Sequence, residues 1–337
     1  MHANLLTTVT HQAMATNFAV LLPPCQAEKT EAVMEALEKL DEIESRLTVY
    51  RDSSEVSRIN RQAADAPVQV SSDTFALLKR SIQWSERTAG AFDVTAGPLI
   101  KAWGFLSRSG RKPTDEEIQA ATECVGYQHL MLDEDQQTVA FAKPGMSINL
   151  GAIGKGDALD QLASMLTDRG VDHFLLHGGK SSIVGRGSQQ PESEASGWAV
   201  GISHPTKPSR RVAGIWLQDK ALATSGSGKQ FFHHHGQRYG HVIDPRTGYP
   251  SGDMLSLTVV TESAADADAC ATGYFVAGSE SVQKAHENQS DMPPMVCLNA
   301  GRRQDEVTTQ SYGTIDWIDN GAGDTGTGDT GADDTDP

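Results

Sequence analysis

The stretch from Asn149 to Asp160, which reads N-L-G-A-I-G-K-G-D-A-L-D, is the feature that most restricts how this chain can fold. Three closely spaced glycines (Gly151, Gly154 and Gly156) allow a tight turn and a close approach of the backbone to another group. The apolar residues that follow recur at helical spacing. The stretch therefore predicts a turn leading into a helix, and the N–H groups and partial positive charge at the start of that helix favour a bound anion.

Lys155 adds a full positive charge to this turn, so the stretch has the properties of a nucleotide or phosphate site. It does not match the two commonest glycine-rich motifs. The phosphate-binding loop needs Ser or Thr after its lysine, where this chain has Gly156, and the dinucleotide pattern G-x-G-x-x-G is not matched by G-A-I-G-K-G. The alternative is an ordinary strand-to-helix turn with a solvated lysine, and other parts of the chain must decide between the two.

The chain of 337 residues carries 28 basic and 44 acidic side chains, a formal charge of −16. This acidic surplus argues against binding to nucleic acid or to anionic membranes, because both are held by basic surfaces. The four cysteines are far apart and form no C-x-x-C pair, which predicts neither a zinc site nor a disulfide framework. Without a signal-peptide pattern or an apolar run of about 20 residues, we expect a soluble, cytoplasmic protein with no membrane span.

Hydrophobic periodicity predicts a mixture of helices and strands. Apolar residues at helical spacing indicate buried helices at 33–47, 72–90, 158–170 and 263–278. Thr114 and Glu117 have the spacing of a capping box, which predicts a short helix after them. Strands are indicated at 13–22, at 130–141 with a turn at 133–135, at 174–177, at 198–202 and at 212–217.

Two segments between these elements could face a ligand. Tyr50 and Asn60 lie in or beside a polar loop that could hold a ring or a hydroxyl group, although solvated loop residues are the simpler interpretation. The aromatic residues Phe92, Trp103 and Phe105 could form a wall for a planar ligand, although such clusters around a glycine turn are more often core.

Residues 223–250 form a second region that is dense in reactive side chains. Ser225, His241 and Asp244 lie among turn residues, where side chains are usually presented to solvent or ligand. Three consecutive histidines at 233–235 do not predict a metal site, because neighbouring side chains of a strand point to opposite faces. The end of a polar hairpin is the better interpretation of these histidines.

Asp268 and Thr272 are four residues apart in the predicted helix at 263–278 and therefore share a face. A carboxylate and a hydroxyl, joined by a backbone carbonyl from elsewhere, could supply hard oxygen ligands for Mg²⁺. An aspartate near the helix start and a threonine bonded to its own helix are the structural alternative. We predict one domain over residues 1–316 and a disordered acidic tail over 317–337, which is rich in Gly, Asp and Thr.

Taken together, these stretches resemble the FAD:protein FMN transferase (ApbE-like flavin transferase) family, in the same order from about Ala13 to Gly278. The matching segments are M-A-T at 14–16, R-L-T-V-Y-R-D-S-S-E-V-S-R-I-N at 46–60, G-A-F-D-V-T-A-G-P-L at 90–99, the stretch 149–160, H-V-I-D-P-R-T-G-Y-P at 241–250 and A-D-A-C-A-T at 267–272. The resemblance implies an α+β fold of two intertwined lobes, a T-fold-like ApbE architecture, with FAD in the cleft between the lobes. It also implies Mg²⁺-dependent transfer of FMN from FAD to a Thr or Ser hydroxyl of an acceptor protein, with release of AMP.

The resemblance further implies roles for individual residues. Mg²⁺ would be bound by Asp268, Thr272 and the backbone carbonyl of Ala152. His241 would be the general base for the acceptor hydroxyl, since histidine can accept a proton near neutral pH, and Lys155 and Asp268 would complete the catalytic set. The FAD site would be lined by Met14, Tyr50, Asn60, Ala91, Phe92, Asp93, Asn149, Lys155, Ser225 and His241.

Three positions depart from the family pattern. Asn149 replaces an aspartate, Lys180 stands where an acidic or amide residue commonly follows Gly-Gly, and Ala15 replaces the glycine of M-G-T. Two other functions remain open, an FAD pyrophosphatase in which water replaces the acceptor hydroxyl and a non-catalytic FAD-binding protein, although the intact Asp268 and Thr272 favour activity. The chain has no good copy of the family's acceptor motif, so the acceptor is expected to be a separate protein.

Overall fold

The computed structural model describes residues 5–107, 109–193, 197–226, 228, 231–303 and 306–318. Its α-helices are α1 (Thr30–Leu47), α2 (Glu55–Gln62), α3 (Ser72–Arg87), α4 (Gly97–Ala102), α5 (Asp115–Thr122), α6 (Gly154–Asp168), α7 (Ala264–Ala277) and α8 (Ser279–Asn288). Its strands are β1 (Thr7–Ala13), β2 (Thr16–Leu22), β3 (Val68–Gln69), β4 (Leu130–Asp133), β5 (Thr138–Phe141), β6 (Phe174–Gly178), β7 (Ser182–Arg186), β8 (Trp198–Ser203), β9 (Arg211–Leu217), β10 (Lys220–Gly226), β11 (Phe231–His234), β12 (Gln237–Gly240), β13 (Ser256–Thr261), β14 (Met295–Ala300) and β15 (Val307–Tyr312).

An eight-stranded antiparallel sheet, in the order β1-β2-β6-β7-β10-β13-β14-β15, is the frame of the molecule. Helices α1, α6 and α7 pack on one face of this sheet, and the β8–β9 hairpin packs on the other. The alternation along β10 shows why both faces are covered. Ala221 and Ala223 belong to the core beneath the helices, whereas Leu222 belongs to the core beneath β8 and β9.

A second lobe is formed by α2 to α5, by the small β3-β5-β4 sheet and by the β11–β12 hairpin. Trp103 is its most buried aromatic residue and packs with Leu99, Ile118, Tyr239 and Ile243. The chain enters this lobe after α1, returns to the large sheet through α6, and enters again at β11, so the two lobes are intertwined as expected. Within the part of the chain that the structure describes, no helix combines the length and the apolar character needed to cross a bilayer.

Most of the predicted elements are confirmed. The apolar stripe at 33–47 is the buried face of α1, the helix at 72–90 is α3, and the helix at 263–278 is α7. The capping box is present at the start of α5, where Thr114 Oγ1 accepts from the Glu117 N–H and the Glu117 carboxylate accepts from the Thr114 N–H. The three histidines lie at the turn of the β11–β12 hairpin, as predicted.

One prediction about local structure was wrong, and one helix was missed. The strand expected at 13–22 is the end of β1, a two-residue turn and β2, because Met14 and Ala15 both adopt positive φ angles (49° and 58°) and Ala13 pairs with Thr16. This is the geometry of a tight hairpin turn, which normally contains Asn-Gly or a similar pair. Helix α2 was not predicted. It begins directly after the cap residue Ser54 and contains Asn60, so this residue lies beside the polar loop that carries Tyr50.

Replacing Ala15 with glycine should stabilise the protein by about 0.5–1 kcal/mol, because alanine at positive φ is strained and glycine is not. Equilibrium unfolding in urea would measure the change in the free energy of unfolding. As a control, Ala13→Gly in the adjacent strand β1 should destabilise the protein by a similar amount, since glycine there only gains freedom in the unfolded chain. Equal effects of the two substitutions would contradict the assignment of strain to Ala15.

The last described residues belong to the folded body. Trp317 forms a β-bridge with Ile215, the Ile318 N–H donates to the Gly214 carbonyl at 2.9 Å, and the Trp216 N–H donates to Asp316. Residues 315–318 therefore extend the β8–β9 sheet, and the folded body reaches at least Ile318. The rest of the predicted tail, residues 319–337, lies outside the described residues.

Candidate active site

Asp268 lies on the face of α7 that meets the start of α6, and only 6% of it is exposed. Its Oδ1 accepts a hydrogen bond from Ser182 Oγ at 2.7 Å, and its Oδ2 accepts from the Gly156 N–H at 2.8 Å. The ammonium nitrogen of Lys155 lies 3.8 Å from the same Oδ2. A buried carboxylate is thus held between a strand, a helix N-terminus and a lysine, which supply it with two hydrogen-bond donors and a neighbouring cation.

Thr272 lies one turn further along α7, as the spacing predicted, and its Oγ1 is 2.9 Å from Ser225 Oγ at the end of β10. The Thr272 side chain therefore points at the neighbouring sheet, toward the same side as Asp268. The two hydroxyl groups and the carboxylate give this part of the molecule a set of oxygen atoms. Such atoms are the ligands that Mg²⁺ prefers.

The start of α6 and the start of α7 are in backbone contact at Gly156. A Cβ atom placed on Gly156 would lie 2.1 Å from the carbonyl oxygen of Ala264. No side chain fits in this space, so the third glycine of the opening stretch is required by helix packing. The close approach also brings the Gly156 N–H within hydrogen-bond distance of Asp268.

The residues predicted to bind Mg²⁺ suit that ion. Ala152 lies in the turn just before α6, partly buried, and with Asp268 and Thr272 it offers one backbone carbonyl, one carboxylate and one hydroxyl. Among the described residues, no group of three or more His, Cys, Asp or Glu side chains could hold a metal ion. The predicted set contains one charged ligand, Asp268. This composition agrees with Mg²⁺, which is commonly bound through one or two carboxylates together with water and substrate phosphates.

Asp93 is largely occupied within its own turn. Its Oδ1 accepts from both the N–H and the hydroxyl of Thr95 (2.8 and 2.7 Å), and its Oδ2 accepts from the Tyr127 N–H at 2.8 Å. Burial raises the pKa of the Asp93 carboxyl, and these hydrogen bonds oppose that rise. Beside it, Ala91 and Phe92 are buried, and Phe92 packs against Gly273 of α7. The segment therefore forms a rigid wall next to the helix that carries Asp268.

Asn149 and Asn60 both bind backbone groups of the loop before α6. Asn149 Oδ1 accepts from the Gly151 N–H at 2.8 Å, and the Asn149 N–H donates to the Val94 carbonyl. The side-chain amide of Asn60 pairs with Ile148, accepting from its N–H at 2.7 Å and donating to its carbonyl at 3.0 Å. These amides fix the path of the loop that leads to Lys155.

Met14 lies at the hairpin turn between β1 and β2, and its N–H donates to the Glu44 carboxylate of α1 at 2.8 Å. The neighbouring Thr16 lies against Gly179 in the turn between β6 and β7, where a Cβ on Gly179 would be 2.4 Å from Thr16 Oγ1. The same turn leads into Ser182. The two hairpin turns therefore lie side by side near the edge of the Asp268 site.

Tyr50 and His241 each contact the loop that follows α4. The Tyr50 hydroxyl donates to the Leu106 carbonyl at 3.1 Å, and 67% of the residue is exposed. The His241 ring packs edge-on against Phe105, with 6.5 Å between the ring centroids. The structure thus brings Lys155 to Asp268 where α6 meets α7, and Ser225 to Thr272 where β10 meets α7. Tyr50 and His241 each contact the 104–107 loop.

Ser182 is a site residue that sequence reasoning missed. It is fully buried at the start of β7, and its hydroxyl orients the Asp268 carboxylate. The sequence offers one signal, since Ser182 follows the predicted strand at 174–177 and the glycine turn Gly178-Gly179. Serines are common after such turns, so Ser182 could not be identified as a site residue without its hydrogen bond to Asp268.

Asp157 lies one residue after Gly156, and its environment makes the stability of the protein depend on pH. Burial raises the pKa of this carboxyl to about 6, and the charge of Asp160 adds to the rise. Gln161 Nε2 donates to Asp157 Oδ2 at 2.7 Å, which opposes the rise only in part. The folded chain therefore binds a proton on the Asp157 carboxyl more tightly than the unfolded chain does. As a result, ionisation of Asp157 lowers the free energy of unfolding as the pH rises from about 4 to about 6, and this loss of stability remains at higher pH.

Asp157→Asn should therefore stabilise the protein at pH 8, by up to about 3 kcal/mol, and the gain should fade toward pH 4. Urea unfolding at several pH values would measure the free energy of unfolding of both proteins. Asp135→Asn, at an exposed position between β4 and β5, is the control and should have little effect at any pH. A gain for Asp157→Asn that does not change with pH would contradict this explanation.

Comparison with known proteins identifies the family. The ApbE family model matches residues 7–295. Among curated proteins, the chain is 35% identical over 246 residues to the FAD:protein FMN transferase of Vibrio cholerae, which covers 72% of each chain. It is 31% identical over 273 residues to the protein of that name from Haemophilus influenzae, covering 78% of this chain and 77% of the relative.

Comparison with solved structures indicates the same family. The ApbE protein of Thermotoga maritima superposes with a TM-score of 0.79 at 28% identity and covers 87% of this chain and 94% of its own. The flavin transferase ApbE of Vibrio cholerae superposes with a TM-score of 0.76 at 30% identity, covering 91% and 98%. The match includes both lobes and the segments that carry Lys155, His241 and Asp268. This chain therefore belongs to the ApbE family.

Proposed function

We propose that this chain is an FAD:protein FMN transferase, which moves FMN from FAD to a Thr or Ser hydroxyl of an acceptor protein in a Mg²⁺-dependent reaction. Its relatives carry this name, and its α+β fold is theirs. The observation that carries the proposal is the Asp268 site. A buried carboxylate there lies beside an ammonium group and a helix N-terminus, a combination suited to a cation and a pyrophosphate together.

The reaction exchanges one phosphate linkage for another. The acceptor oxygen attacks the phosphorus of the FMN half of FAD, the bond to the bridging oxygen of the pyrophosphate breaks, and AMP leaves with that oxygen. The acceptor is then joined to FMN by a phosphodiester. We propose that His241 takes the proton of the attacking hydroxyl and that Lys155 neutralises charge on the phosphates, since such transfers depend on positioning and charge more than on covalent catalysis.

Mg²⁺ bound by Asp268, Thr272 and the Ala152 carbonyl would neutralise charge on the pyrophosphate and on the leaving AMP. One carboxylate is a weak set of charges for a divalent ion, so the phosphates of FAD should supply part of the binding. We therefore expect metal and FAD to increase each other's affinity by the same factor, as linkage requires.

The remaining predicted residues would line the FAD site. Phe92 and Ala91 supply the buried wall beside α7, Asn149 and Asn60 hold the loop that leads to Lys155, and Met14, Tyr50, Asp93 and Ser225 complete the proposed set. FAD would occupy the cleft between the two lobes. The acceptor would be a separate protein with a Ser or Thr in a recognition motif, and the cytoplasmic location expected from the sequence stays a prediction that cell fractionation would test.

The test is to incubate the purified protein with FAD, Mg²⁺ and a peptide that carries the family's acceptor motif, and to follow AMP release and peptide mass, with EDTA as control. Metal-dependent addition of FMN to the peptide is the expected result. AMP release without a labelled peptide would indicate the pyrophosphatase alternative. Tight FAD binding with no AMP release would indicate a non-catalytic flavin-binding protein and would refute the proposal.

A further inference from the structure

Asp160, one turn after Asp157 on α6, contacts the N-terminus of α7 and has no role in the proposed reaction so far described. Its carboxylate accepts three hydrogen bonds from the N-terminus of α7, from Ser263 Oγ at 2.6 Å, from the Ala264 N–H at 2.7 Å and from the Ala265 N–H at 3.0 Å. Backbone N–H groups at a helix start have no partner in their own helix. The cap residue of α7 is Ser263, whose Oγ accepts from the Asp266 N–H at 3.3 Å, and Asp160 of α6 adds acceptors for the Ala264 and Ala265 N–H groups.

Arg80 of α3 supports this contact from the side. Its Nη1 donates to Ser263 Oγ at 3.0 Å and lies 3.7 Å from Asp160 Oδ2. The Ser263 hydroxyl donates to Asp160 while accepting from Arg80, so its orientation is fixed by both partners. The Asp160 carboxylate is thus held in one position by groups from two other helices.

The cap lies at one end of a series of contacts between α6 and α7. One turn back along α6, Gly156 meets the carbonyl of Ala264, and one turn along α7, the Gly156 N–H reaches Asp268. Lys155 lies in the same turn of α6 as Gly156. The relative position of the two helices therefore sets where the backbone of Lys155 lies with respect to Asp268.

We propose that Asp160 is a positioning residue for metal binding, because it holds α7 at the place where Asp268 meets Gly156 and Lys155 of α6. The inference rests on the proposed function for the identity of the ion, and it concerns this chain's own carboxylate. Groups that orient metal ligands commonly change metal affinity by about 10- to 100-fold when they are removed. The expected effect of losing Asp160 lies in that range.

The test compares Asp160→Ala and Asp160→Asn with Asp253→Asn in the full-length chain. Asp253 is a matched control, since it caps α8 in a similar way, accepting from the N–H of Ser279 at 3.1 Å and from its hydroxyl at 2.6 Å. Mn²⁺ would be titrated into each protein with FAD present, and free Mn²⁺ would be followed by its electron paramagnetic resonance signal. FAD binding in EDTA would be measured by flavin fluorescence, and thermal unfolding would show that each variant is folded.

We expect Asp160→Ala to weaken Mn²⁺ binding by about 10- to 100-fold, with Asp160→Asn between it and wild type because an amide oxygen can still accept part of the cap. FAD binding in EDTA should change less than Mn²⁺ binding. If Asp160→Ala does not fold, Ser263→Ala removes one of the three donors and should weaken Mn²⁺ binding in the same direction. Mn²⁺ binding by the Asp160 variants equal to wild type, or an equal loss in Asp253→Asn, would overturn the proposal.

Mn²⁺ binding and FMN transfer measured on the wild-type protein distinguish a failure of this inference from a failure of the proposed function. Mn²⁺ binding without any FMN transfer would refute the transferase and leave the comparison of the Asp160 variants valid. Failure of wild type to bind Mn²⁺ in the presence of FAD would remove the metal site, and with it the role of Asp160.

Discussion

Replacing Asp268 with alanine is expected to reduce FMN transfer by at least about 10²- to 10³-fold, the usual cost of losing one preorganised electrostatic group. The physical reason is that Asp268 is the one carboxylate in the proposed Mg²⁺ site. Its loss also leaves the Ser182 hydroxyl and the Gly156 N–H without their acceptor and leaves Lys155 without its counter-charge. AMP release and the mass of a labelled acceptor peptide would measure the rate.

The structural cost of this substitution must be separated from its effect on catalysis. An unpaired buried donor costs about 1–3 kcal/mol, so thermal unfolding should be measured with the rate. Asp268→Asn keeps the shape of the side chain and should lose most activity with a smaller loss of stability. Asp266→Asn, on the same helix but bonded to Trp84 Nε1 at 2.7 Å, is the control and should retain transfer. Normal Mg²⁺-dependent turnover by Asp268→Asn would remove this residue from the metal site.

His241→Ala is expected to reduce transfer by about 10²- to 10⁴-fold, which is the range for loss of a general base, while FAD remains bound. The packing of the His241 ring against Phe105 places it beside the loop that Tyr50 also contacts, at the surface where an acceptor can approach. Because the lost step is proton removal from the acceptor, kcat should fall more than the affinity for FAD. Flavin fluorescence would measure binding, and peptide mass would measure transfer.

The pH dependence provides a second readout for His241. In wild type, transfer should fall at acidic pH as the general base becomes protonated, and this fall should be absent from the residual activity of His241→Ala. His234→Ala in the exposed turn region of the β11–β12 hairpin is a matched control and should behave as wild type. A pH profile in His241→Ala that is parallel to that of wild type would assign the proton transfer to another group.

The sequence predicted those parts of the fold that depend on local pattern. The stripe of α1, the capping box of α5 and the small residues of α7 each show a local physical rule, and each is found where it was expected. The spacing of Asp268 and Thr272 predicted a shared face because both lie in one helix. Motif resemblance placed Lys155 and Asp268 in one catalytic set, which no local rule could do because 113 positions separate them, and the structure brings their charged groups to 3.8 Å.

The features that were missed depend on partners distant in sequence or on unusual backbone angles. The hairpin turn at Met14 and Ala15 has no glycine or asparagine to indicate its positive φ angles. Ser182 and Asp160 acquire their roles only when β7 and α6 meet α7, and both resemble ordinary polar residues in sequence. Helix α2, which contains Asn60, was not predicted because most of its residues are polar.

The structure shows how the backbone accommodates two of the departures from the family pattern, Lys180 and Asn149. Lys180 adopts a φ of 64° in the turn between β6 and β7, a conformation that asparagine and aspartate tolerate better than lysine. The acidic or amide residue that commonly follows Gly-Gly in the family suits this backbone. At Asn149, an amide oxygen accepts from the Gly151 N–H, a contact that a carboxylate oxygen could equally make. The turn can therefore keep its shape without the charge.

The contact between Gly156 and Ala264 joins backbone to backbone, with no side chain between them that could change rotamer. A side chain can change rotamer when a ligand binds, whereas this backbone contact can change only if one helix moves relative to the other. The pyrophosphate end of the proposed site should therefore be preformed, and binding there should cost little conformational entropy. The loops that carry Tyr50 and Leu106 would then be the parts of the site that adapt to different acceptors. Acceptor preference could therefore change over evolution without a change in the residues that act on the phosphates.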